Sequence, residues 1–256
     1  MSKLIDNLRR VFRTNSTPIG FRAGTSPHPT PALLIGYLSN TNREIIDSIG
    51  KSNLDGIIVD GGAKGINSQD LGKLSKSFGS IPWGIFCSSD RLEDGDSFVK
   101  AGADFIVANT TSTPAAALQQ KQLGHILAIE PDIPDSMARA IDSLGVEAVY
   151  LQNGLNDCPV LNIGHLLVSQ RISGLLRKPL LASVSHELTS ADLQSLISAG
   201  IKGMVIKLAD SNIFTRLPEI KNILGTLSAP KTGGGEVTIP RINSEKPHPE
   251  EDEEPD

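Results

Sequence analysis

The chain has 256 residues, of which 39% are hydrophobic, and a formal net charge of −5 at pH 7. This length suits one large domain, and a mildly acidic chain has no overall positive field that would attract nucleic acid. Its two cysteines, Cys87 and Cys158, form no C-x-x-C pair, which argues against a disulfide scaffold or a structural zinc site and is typical of a cytoplasmic protein.

The chain begins with an amphipathic basic helix, predicted over residues 2–13. Its apolar side carries Leu4, Ile5, Leu8, Val11 and Phe12. Such a helix suits either a membrane-surface anchor or a lid packed over the bottom of the fold, and the sequence leaves both interpretations open. A linker rich in Pro, Ser, Thr and Gly follows at 15–31. No apolar run reaches the roughly 18 residues that a membrane span requires.

From residue 32 onward, short apolar strand patterns alternate with amphipathic helix patterns. Strands are predicted at 32–39, 55–61, 82–88, 103–110, 125–131 and 146–153, with two more inside 179–208. Helices are predicted at 42–48, 68–78, 92–101, 114–123, 134–144, 162–177 and 213–227, with one more between the last two strands. Strict alternation of this kind demands a parallel sheet.

Eight such units close into a (β/α)8 TIM barrel, whereas the alternative is an open, doubly wound sheet. No G-x-G-x-x-G follows the first strand, and the units are evenly sized, which favours closure. We therefore expect a single α/β barrel over residues 32–228. An N-terminal helix with its linker, 1–31, precedes it, and a tail, 229–256, follows.

The seventh strand and its successor form the clearest β-α-β unit, within residues 179–208. Thr189 is a predicted N-cap, and Asp192 three residues later completes a capping box. Gly200 lies where a glycine would end the helix.

The tail is acidic, rich in Pro and Gly and almost without large apolar residues, so it is predicted to be disordered. A solvated tail and a partner-binding segment both fit this composition.

In a TIM barrel the functional site lies at the carboxyl ends of the strands, and here those ends are polar. His186 is the only histidine at a predicted strand end, and imidazole is the natural general acid or base near neutral pH. The predicted catalytic residues are His186, Glu130 and Asp60. The predicted substrate-binding residues are Lys207, Asn109, Gln152 and Ser185.

Four carboxylates, those of Asp60, Asp90, Glu130 and Asp132, could converge on a divalent cation, for which magnesium is the natural choice. No spacing among them is diagnostic of a metal site, and Asp60 could instead cap the turn that follows it. Cys87 ends the third strand, where a buried small apolar residue is the better interpretation than a nucleophile.

Two segments, AGADFIVANT (101–110) and HILAIEPDIPDSMARAIDSLGVEAVYL (125–151), resemble the 2-keto-3-deoxy-6-phosphogluconate aldolase group. The last two strands are similar to those of the wider ribulose-phosphate-binding barrels. The resemblance implies an aldolase-type barrel with chemistry at a carbonyl compound.

The chain departs from that pattern at two places. The aldolases carry a Schiff-base lysine on strand six, where this chain has Tyr150 and so cannot form an imine. The phosphate-binding glycines after strands seven and eight are replaced by His186-Glu187 and Lys207. Lys207 could bind an anion by its charge, or could pair with Glu187 or Asp210. No nucleotide or flavin motif is present.

Two functions stay open at this stage. The first is a lyase or isomerase that performs acid-base chemistry next to a carbonyl or carboxylate of a small molecule bound at the barrel mouth. The second is a degenerate, non-catalytic barrel that binds a ligand or a protein, because fold alone does not decide activity. Assembly into a homo-oligomer is compatible with either function.

Overall fold

The structure, a computed structural model, describes residues 2–13, 30–39, 42–61, 68–87, 95–152 and 160–227. Eight parallel strands close into a barrel in chain order. The strands are β1 (Leu33–Leu38), β2 (Gly56–Asp60), β3 (Trp83–Cys87), β4 (Phe105–Asn109), β5 (Gly124–Ile129), β6 (Ala148–Leu151), β7 (Leu180–Val184) and β8 (Ile201–Lys207). The helices are α1 (Lys3–Arg13), α2 (Arg43–Ile49), α3 (Ser68–Phe78), α4 (Gly95–Lys100), α5 (Asp135–Ala140), α6 (Ile163–Leu175), α7 (Ser190–Ser198) and α8 (Ile213–Thr226).

The barrel closes between its first and last strands, where Leu33 lies opposite Gly203 and Tyr37 opposite Lys207. Every other strand pairs in parallel with its neighbour in sequence. The predicted (β/α)8 barrel is therefore confirmed, and the open sheet is excluded.

Both faces of the strands are buried, which explains their nearly continuous apolar sequences. Alternate residues such as Ile35, Ile58 and Val107 fill the barrel interior. Their neighbours in sequence, such as Leu34 and Ile57, belong to the outer core that the helices cover. Because side chains along a strand alternate with period two, the position of any strand residue tells which face it occupies.

The β7–α7–β8 unit forms as its sequence predicts. The Thr189 hydroxyl accepts a hydrogen bond from the backbone N–H of Asp192, and the Asp192 carboxylate accepts one from the backbone N–H of Thr189. Gly200 follows the helix with φ of +100°, a conformation that side chains with a Cβ rarely adopt.

Two connections are shorter or less regular than the sequence pattern predicts. After β4, the expected helix at 114–123 is wrong: a 3₁₀ helix at Ala115–Gln119 takes its place. The turn at Asn109–Thr113 takes up the first part of this connection to β5. After β5, the helix expected at 134–144 is an α-helix only to Ala140 and continues as a 3₁₀ turn, Ile141–Ser143. Of the helix expected at 92–101, residues 92–94 lie outside the described residues, and α4 (Gly95–Lys100) is its described part.

Helix α1 lies across the N-terminal end of the barrel. Its apolar residues Leu4, Ile5, Leu8 and Val11 are buried in the same cluster as the barrel interior, whereas Phe12 is half-buried. The Asp104 carboxylate, just before β4, accepts hydrogen bonds from the Ser2 hydroxyl (2.7 Å) and from the backbone N–H groups of residues 3 and 4 (2.8 and 3.0 Å). The helix is thus a lid over the barrel bottom, and its apolar side is not available for a membrane surface.

None of the described helices combines the length and apolar character needed to cross a bilayer. The tail predicted to be disordered, Asp90 and residues 153–159 between β6 and α6 lie outside the described residues.

Candidate functional site at the carboxyl ends of the strands

Six of the seven predicted site residues lie at the carboxyl end of the barrel. Asp60, Asn109 and Lys207 are the last residues of β2, β4 and β8 and share the parity of the interior residues, whereas Glu130, Gln152 and Ser185 directly follow the last residues of β5, β6 and β7. These six are Asp60, Asn109, Glu130, Gln152, Ser185 and Lys207. His186 has the opposite parity and lies in the turn after β7, half-buried. The closed barrel therefore brings residues from six strands to one rim.

Tyr37 and Asp60 are joined across the first two strands. Tyr37 lies opposite Ile58 in the ladder, two residues before Asp60, and its hydroxyl donates a hydrogen bond to the Asp60 carboxylate. Burial raises the pKa of Tyr37 well above its ordinary value, and the negative charge of Asp60 and the hydrogen bond raise it further. The phenol consequently stays protonated and holds the carboxylate in place as a permanent donor.

Tyr150, at the position of the missing Schiff-base lysine, is tied to β7. Its hydroxyl lies 2.5 Å from the Ser183 hydroxyl, and the two residues are only 3% and 1% exposed. Burial raises the pKa of Tyr150 to about 12; the hydrogen bond with Ser183 opposes this rise, and the negative charge of Glu130 adds to it. The charge of Glu130 therefore acts on Tyr150, and Tyr150 in turn raises the pKa of Tyr37 on β1.

The interior directly below the rim is filled by aromatic side chains. The rings of Tyr37 and Phe86 pack edge to face with centroids 6.1 Å apart, and the ring of Tyr150 is almost completely buried. A ligand at this end would rest on these rings rather than enter the barrel.

Asn109 has part of its hydrogen-bonding capacity in use. Its side-chain oxygen accepts from the backbone N–H and the hydroxyl of Thr111, at 2.8 and 2.7 Å. Its own backbone N–H donates to the Thr113 hydroxyl, which donates in turn to the Cys87 carbonyl. The side-chain amide of Asn109 is thus held at the rim with only its N–H donors left for a ligand.

The turn after β7 separates His186 from its neighbouring carboxylate. The Ser185 hydroxyl accepts from the backbone N–H of Glu187 at 3.2 Å, and the Glu187 side chain is exposed. Among the described residues, no hydrogen bond or ion pair joins His186 to Glu187, so the sequence neighbours do not form a catalytic pair.

Lys207 ends β8 with an exposed side chain, and two carboxylates were candidates to neutralise it. Asp210 instead caps α8: its side chain accepts from the backbone N–H groups of Asn212 and Ile213, at 3.0 and 3.3 Å. Within the described ranges, neither Glu187 nor Asp210 lies within ion-pair distance of the Lys207 ammonium. Its positive charge is therefore available at the rim.

The helix N-termini that would cradle a phosphate are occupied by carboxylates. Asp192 accepts from the backbone N–H of Thr189, the N-cap residue of α7, and Asp210 accepts from the backbone N–H groups of Asn212 and Ile213 at the start of α8. A carboxylate at a helix N-terminus satisfies its N–H groups and cancels the positive end of its dipole. The chain thus lacks the phosphate-binding glycines, and in addition it has an acidic residue at the N-terminus of α7 and another at the N-terminus of α8.

No cluster of three or more His, Cys, Asp or Glu side chains that could hold a metal ion occurs in the described part of the chain. Asp60, Glu130 and Asp132 therefore do not converge there, and Asp90 is outside the described residues. Cys87 is 6% exposed, and burial raises the pKa of its thiol to about 11, as the interpretation of a buried apolar residue requires.

Sequence reasoning missed Ser183. The available signal was a hydroxyl residue in the apolar strand Leu180–Val184, at the parity that faces the interior. Tyr37 and Tyr150 were visible as strand ends, but the pattern gave no hint of their partners.

No protein-family model matches the chain, and no curated protein matches it significantly. The fold is nevertheless shared with solved structures of tryptophan synthase alpha subunits from the hyperthermophile Pyrococcus furiosus. One mutant alpha subunit superimposes with a TM-score of 0.59 at 14% identity, covering 75% of this chain and 98% of that one. A chain of the tryptophan synthase complex from the same organism has a TM-score of 0.57 at 13% identity, covering 75% of this chain and 96% of that one. At the level of fold, this agrees with the predicted (β/α)8 barrel.

Proposed function

We propose that the chain is a small-molecule enzyme, a lyase or isomerase, that moves a proton at a carbon next to a carbonyl or carboxylate group. The observation that carries the proposal is the Asp60 carboxylate, the last residue of β2, which accepts a hydrogen bond from the half-buried Tyr37. A general base must be held within hydrogen-bond reach of the proton that it removes, and this hydrogen bond holds the Asp60 carboxylate in place.

The other rim residues take roles that follow from their chemistry. Glu130, directly after β5, is the second carboxylate. His186 exchanges a proton with the leaving group in a lyase reaction, or with the rearranging atom in an isomerase reaction. Lys207 attracts the anionic end of the substrate by its charge. Asn109, Gln152 and Ser185 supply hydrogen bonds that orient the substrate's oxygen atoms.

The substrate class follows from the capped helix ends. Asp192 and Asp210 occupy the α7 and α8 N-termini, and Glu187 adds an exposed negative charge beside them. A phosphate with two charges would meet three carboxylates there, whereas one carboxylate group can pair with Lys207 alone. We therefore propose a small, non-phosphorylated oxo acid or hydroxy acid.

Proton exchange in D₂O tests the proposal without knowledge of the product. The chain is incubated with pyruvate, 2-oxobutyrate or glycolaldehyde, and with dihydroxyacetone phosphate for comparison, and loss of the carbon-bound proton signal is followed by NMR. We expect exchange above the protein-free rate with an oxo acid, and little with the phosphate ester. General acid-base catalysis contributes about 10²–10⁴ in rate, so Asp60→Asn and Glu130→Gln should each lower exchange by at least 100-fold.

The matched control is Asp47→Asn, an exposed carboxylate on α2 away from the inward face. Equal exchange in wild type and in both rim variants would overturn the proposal, as would the absence of exchange with every compound.

A second candidate is the non-catalytic barrel, which is favoured by the aromatic filling of Tyr37, Phe86 and Tyr150 below the rim. Such a barrel would bind a ligand on this floor without chemistry. Shifts of rim amide signals on addition of an oxo acid, with no proton exchange, are the result expected of it. Assembly into a homo-oligomer and residence in the cytoplasm stay predictions, and sedimentation of the full chain measures the first.

A further inference from the structure

A pocket of about 210 Å³ opens at the N-terminal end of the barrel, away from the rim. The last turn of α3, the turns into β3 and β4 and the start of α1 form its wall. This volume holds roughly seven water molecules, or an organic molecule with about as many non-hydrogen atoms. The pocket is therefore a second place where a small molecule can bind, separate from the rim.

The buried indole of Trp83 supplies a hydrogen-bond donor to this pocket. Trp83, at the start of β3, is only 3% exposed, and its N–H has no hydrogen-bond partner in the described part of the chain. Among the described residues, Ser169 carries the only fully enclosed side-chain nitrogen or oxygen atom that lacks a partner. The Trp83 N–H therefore reaches a surface, which for so buried a residue is the wall of the pocket that it lines. An indole N–H can only donate, so its partner in a ligand must be an acceptor atom.

Side chains of both charges line the same pocket. The Lys3 ammonium has neither an ion pair nor a hydrogen bond within the described ranges. The Asp104 carboxylate accepts three hydrogen bonds, from the Ser2 hydroxyl and from the backbone N–H groups of Lys3 and Leu4. A carboxylate offers about four acceptor positions, so one of them is left for a ligand. A ligand that matches these two side chains carries one negative and one positive group.

The end of α3 adds a partial negative charge. The helix stops at Phe78, and Gly79, which lines the pocket, follows with φ of +62°. The carbonyl groups at a helix C-terminus together carry about half a negative charge and attract cations. Lys76 and Lys100, in the last turns of α3 and α4, are exposed without lining the pocket, and their charges favour an anion. The surroundings thus repeat the mixture of charges found in the wall.

We propose that this pocket binds a small zwitterion with the size and charge pattern of an α-amino acid. Its carboxylate accepts from the Trp83 N–H and pairs with the Lys3 ammonium, and its ammonium donates to Asp104 and to the carbonyl end of α3. The hydroxyls of Ser75 and Ser80, which line the pocket without partners among the described residues, can bind either group. A simple anion would be repelled by Asp104, and a simple amine by Lys3, so each makes only half of these contacts.

The bound zwitterion adds a link between α1 and the barrel. Helix α1 supplies Lys3, and Asp104 already holds the first turn of this helix from the start of β4. A ligand that bridges the two side chains therefore strengthens the closure of the barrel bottom by α1. This role is independent of the chemistry proposed at the rim.

The fluorescence of Trp83 measures this binding directly, because Trp83 is the only tryptophan of the chain. The full chain is titrated at pH 7 with L-serine, and with lactate and ethanolamine, which are of similar size and each carry one of its two charges. We expect a saturable change with L-serine and a Kd of about a millimolar, as suits so small a ligand. Lactate and ethanolamine should bind at least about 10-fold more weakly, because each lacks a charged hydrogen-bond partner.

Amide shifts in the same titration locate the site. We expect the NMR signals of Gly79, Ser80 and Gly102 to shift with L-serine, and those of Asn109 and Lys207 at the rim to stay unchanged. Since the pocket and the rim lie at opposite ends of the barrel, a failure of this proposal and a failure of the proposed enzyme activity are distinguishable.

One lysine variant and its matched control test the contact with the carboxylate. Lys3→Gln should weaken L-serine at least about 10-fold and leave ethanolamine unchanged, because only the carboxylate loses a partner. Lys51→Gln removes an exposed lysine that does not line the pocket, and it should change neither titration. Thermal unfolding of both variants checks that they are folded.

The absence of a saturable change with L-serine would overturn the proposal, and so would shifts confined to the rim. Binding of lactate or ethanolamine as tight as that of L-serine would also overturn it, since the ligand would then need only one charge. Unchanged affinity for L-serine in Lys3→Gln would contradict the assigned carboxylate contact and with it the proposed orientation.

Discussion

The Tyr150 hydroxyl on β6 lies 2.5 Å from the Ser183 hydroxyl on β7, in the buried layer just beneath the rim of the barrel. Each hydroxyl is the hydrogen-bond partner of the other, at a place where water has little access. Leaving one buried hydroxyl without its partner costs about 1–3 kcal/mol, whereas removing both can be nearly neutral.

The first prediction is therefore a non-additive pair. Tyr150→Phe and Ser183→Ala should each lower the free energy of unfolding by about 1–3 kcal/mol, and the double variant should lose clearly less than the sum. Urea unfolding of the four proteins measures the coupling. Strictly additive losses would mean that the hydrogen bond does not stabilise the barrel.

Glu147 gives a prediction for pH. Burial acts to raise the pKa of its carboxyl, but hydrogen bonds from His125 and the positive charges of His125 and Arg9 outweigh it, so the pKa lies below its ordinary value. A carboxyl with a depressed folded-state pKa stabilises the fold fully above its unfolded value of about 4.3, and this contribution is lost as the pH falls through the folded value.

Glu147→Gln should accordingly be destabilised by about 1 kcal/mol at pH 7, with the difference from wild type shrinking below about pH 4. Denaturant unfolding between pH 7 and pH 3 measures it. The control is Glu219→Gln, whose exposed pair with Arg216 should change stability little. A difference that grows on acidification would contradict the assignment.

Gly124 makes room for α1 at the start of β5. A Cβ at this position would lie 2.6 Å from Ile5 Cγ1 and 2.7 Å from Ser2 Cβ, so Gly124→Ala must push the N-terminal helix away. We expect a loss of about 1–3 kcal/mol in the free energy of unfolding and faster tryptic cleavage at Arg9 and Arg10.

Gly174 on α6 is the matched control, because a Cβ there meets no atom within 4 Å. Gly174→Ala should raise stability by about 0.5–1 kcal/mol and leave α1 protected. Unchanged cleavage of α1 in Gly124→Ala would show that the helix does not depend on this contact.

Cys87 should be nearly inert in the folded chain. A thiol whose pKa is raised to about 11 is almost entirely protonated at pH 8, and it is buried as well. In a Cys158→Ser background, reaction with a coloured disulfide reagent at pH 8 should be at least about 100-fold slower for folded than for denatured protein. Comparable rates would rule out the buried thiol.

The Tyr37–Asp60 pair yields the prediction closest to the proposed chemistry. Tyr37→Phe keeps the ring that packs on Phe86 but removes the donor that holds the Asp60 carboxylate. Loss of a supporting hydrogen bond of this kind lowers activity by about 10–100-fold, so proton exchange should fall less in Tyr37→Phe than in Asp60→Asn. Proton exchange in Tyr37→Phe as fast as in wild type would show that this hydrogen bond does not contribute to catalysis.

The sequence by itself determined the eightfold alternation of strand and helix, because hydrophobic periodicity and helix capping act within a few residues. Thr189, Asp192 and Gly200 are an instance, and the structure places each as the pattern predicts. The shortened helix after β4 escaped prediction because its length depends on the neighbouring turn and on His125 packing beneath it.

Only the tertiary structure decided which distant residues meet. Asp104 accepts a hydrogen bond from Ser2, 102 positions away in sequence, and Ser183 on β7 contacts Tyr150 on the neighbouring strand β6. No local pattern encodes these contacts, since they exist only once the barrel closes and its strands take a common register. The sharing of one rim by Asp60, Glu130 and Lys207 follows from that closure for the same reason.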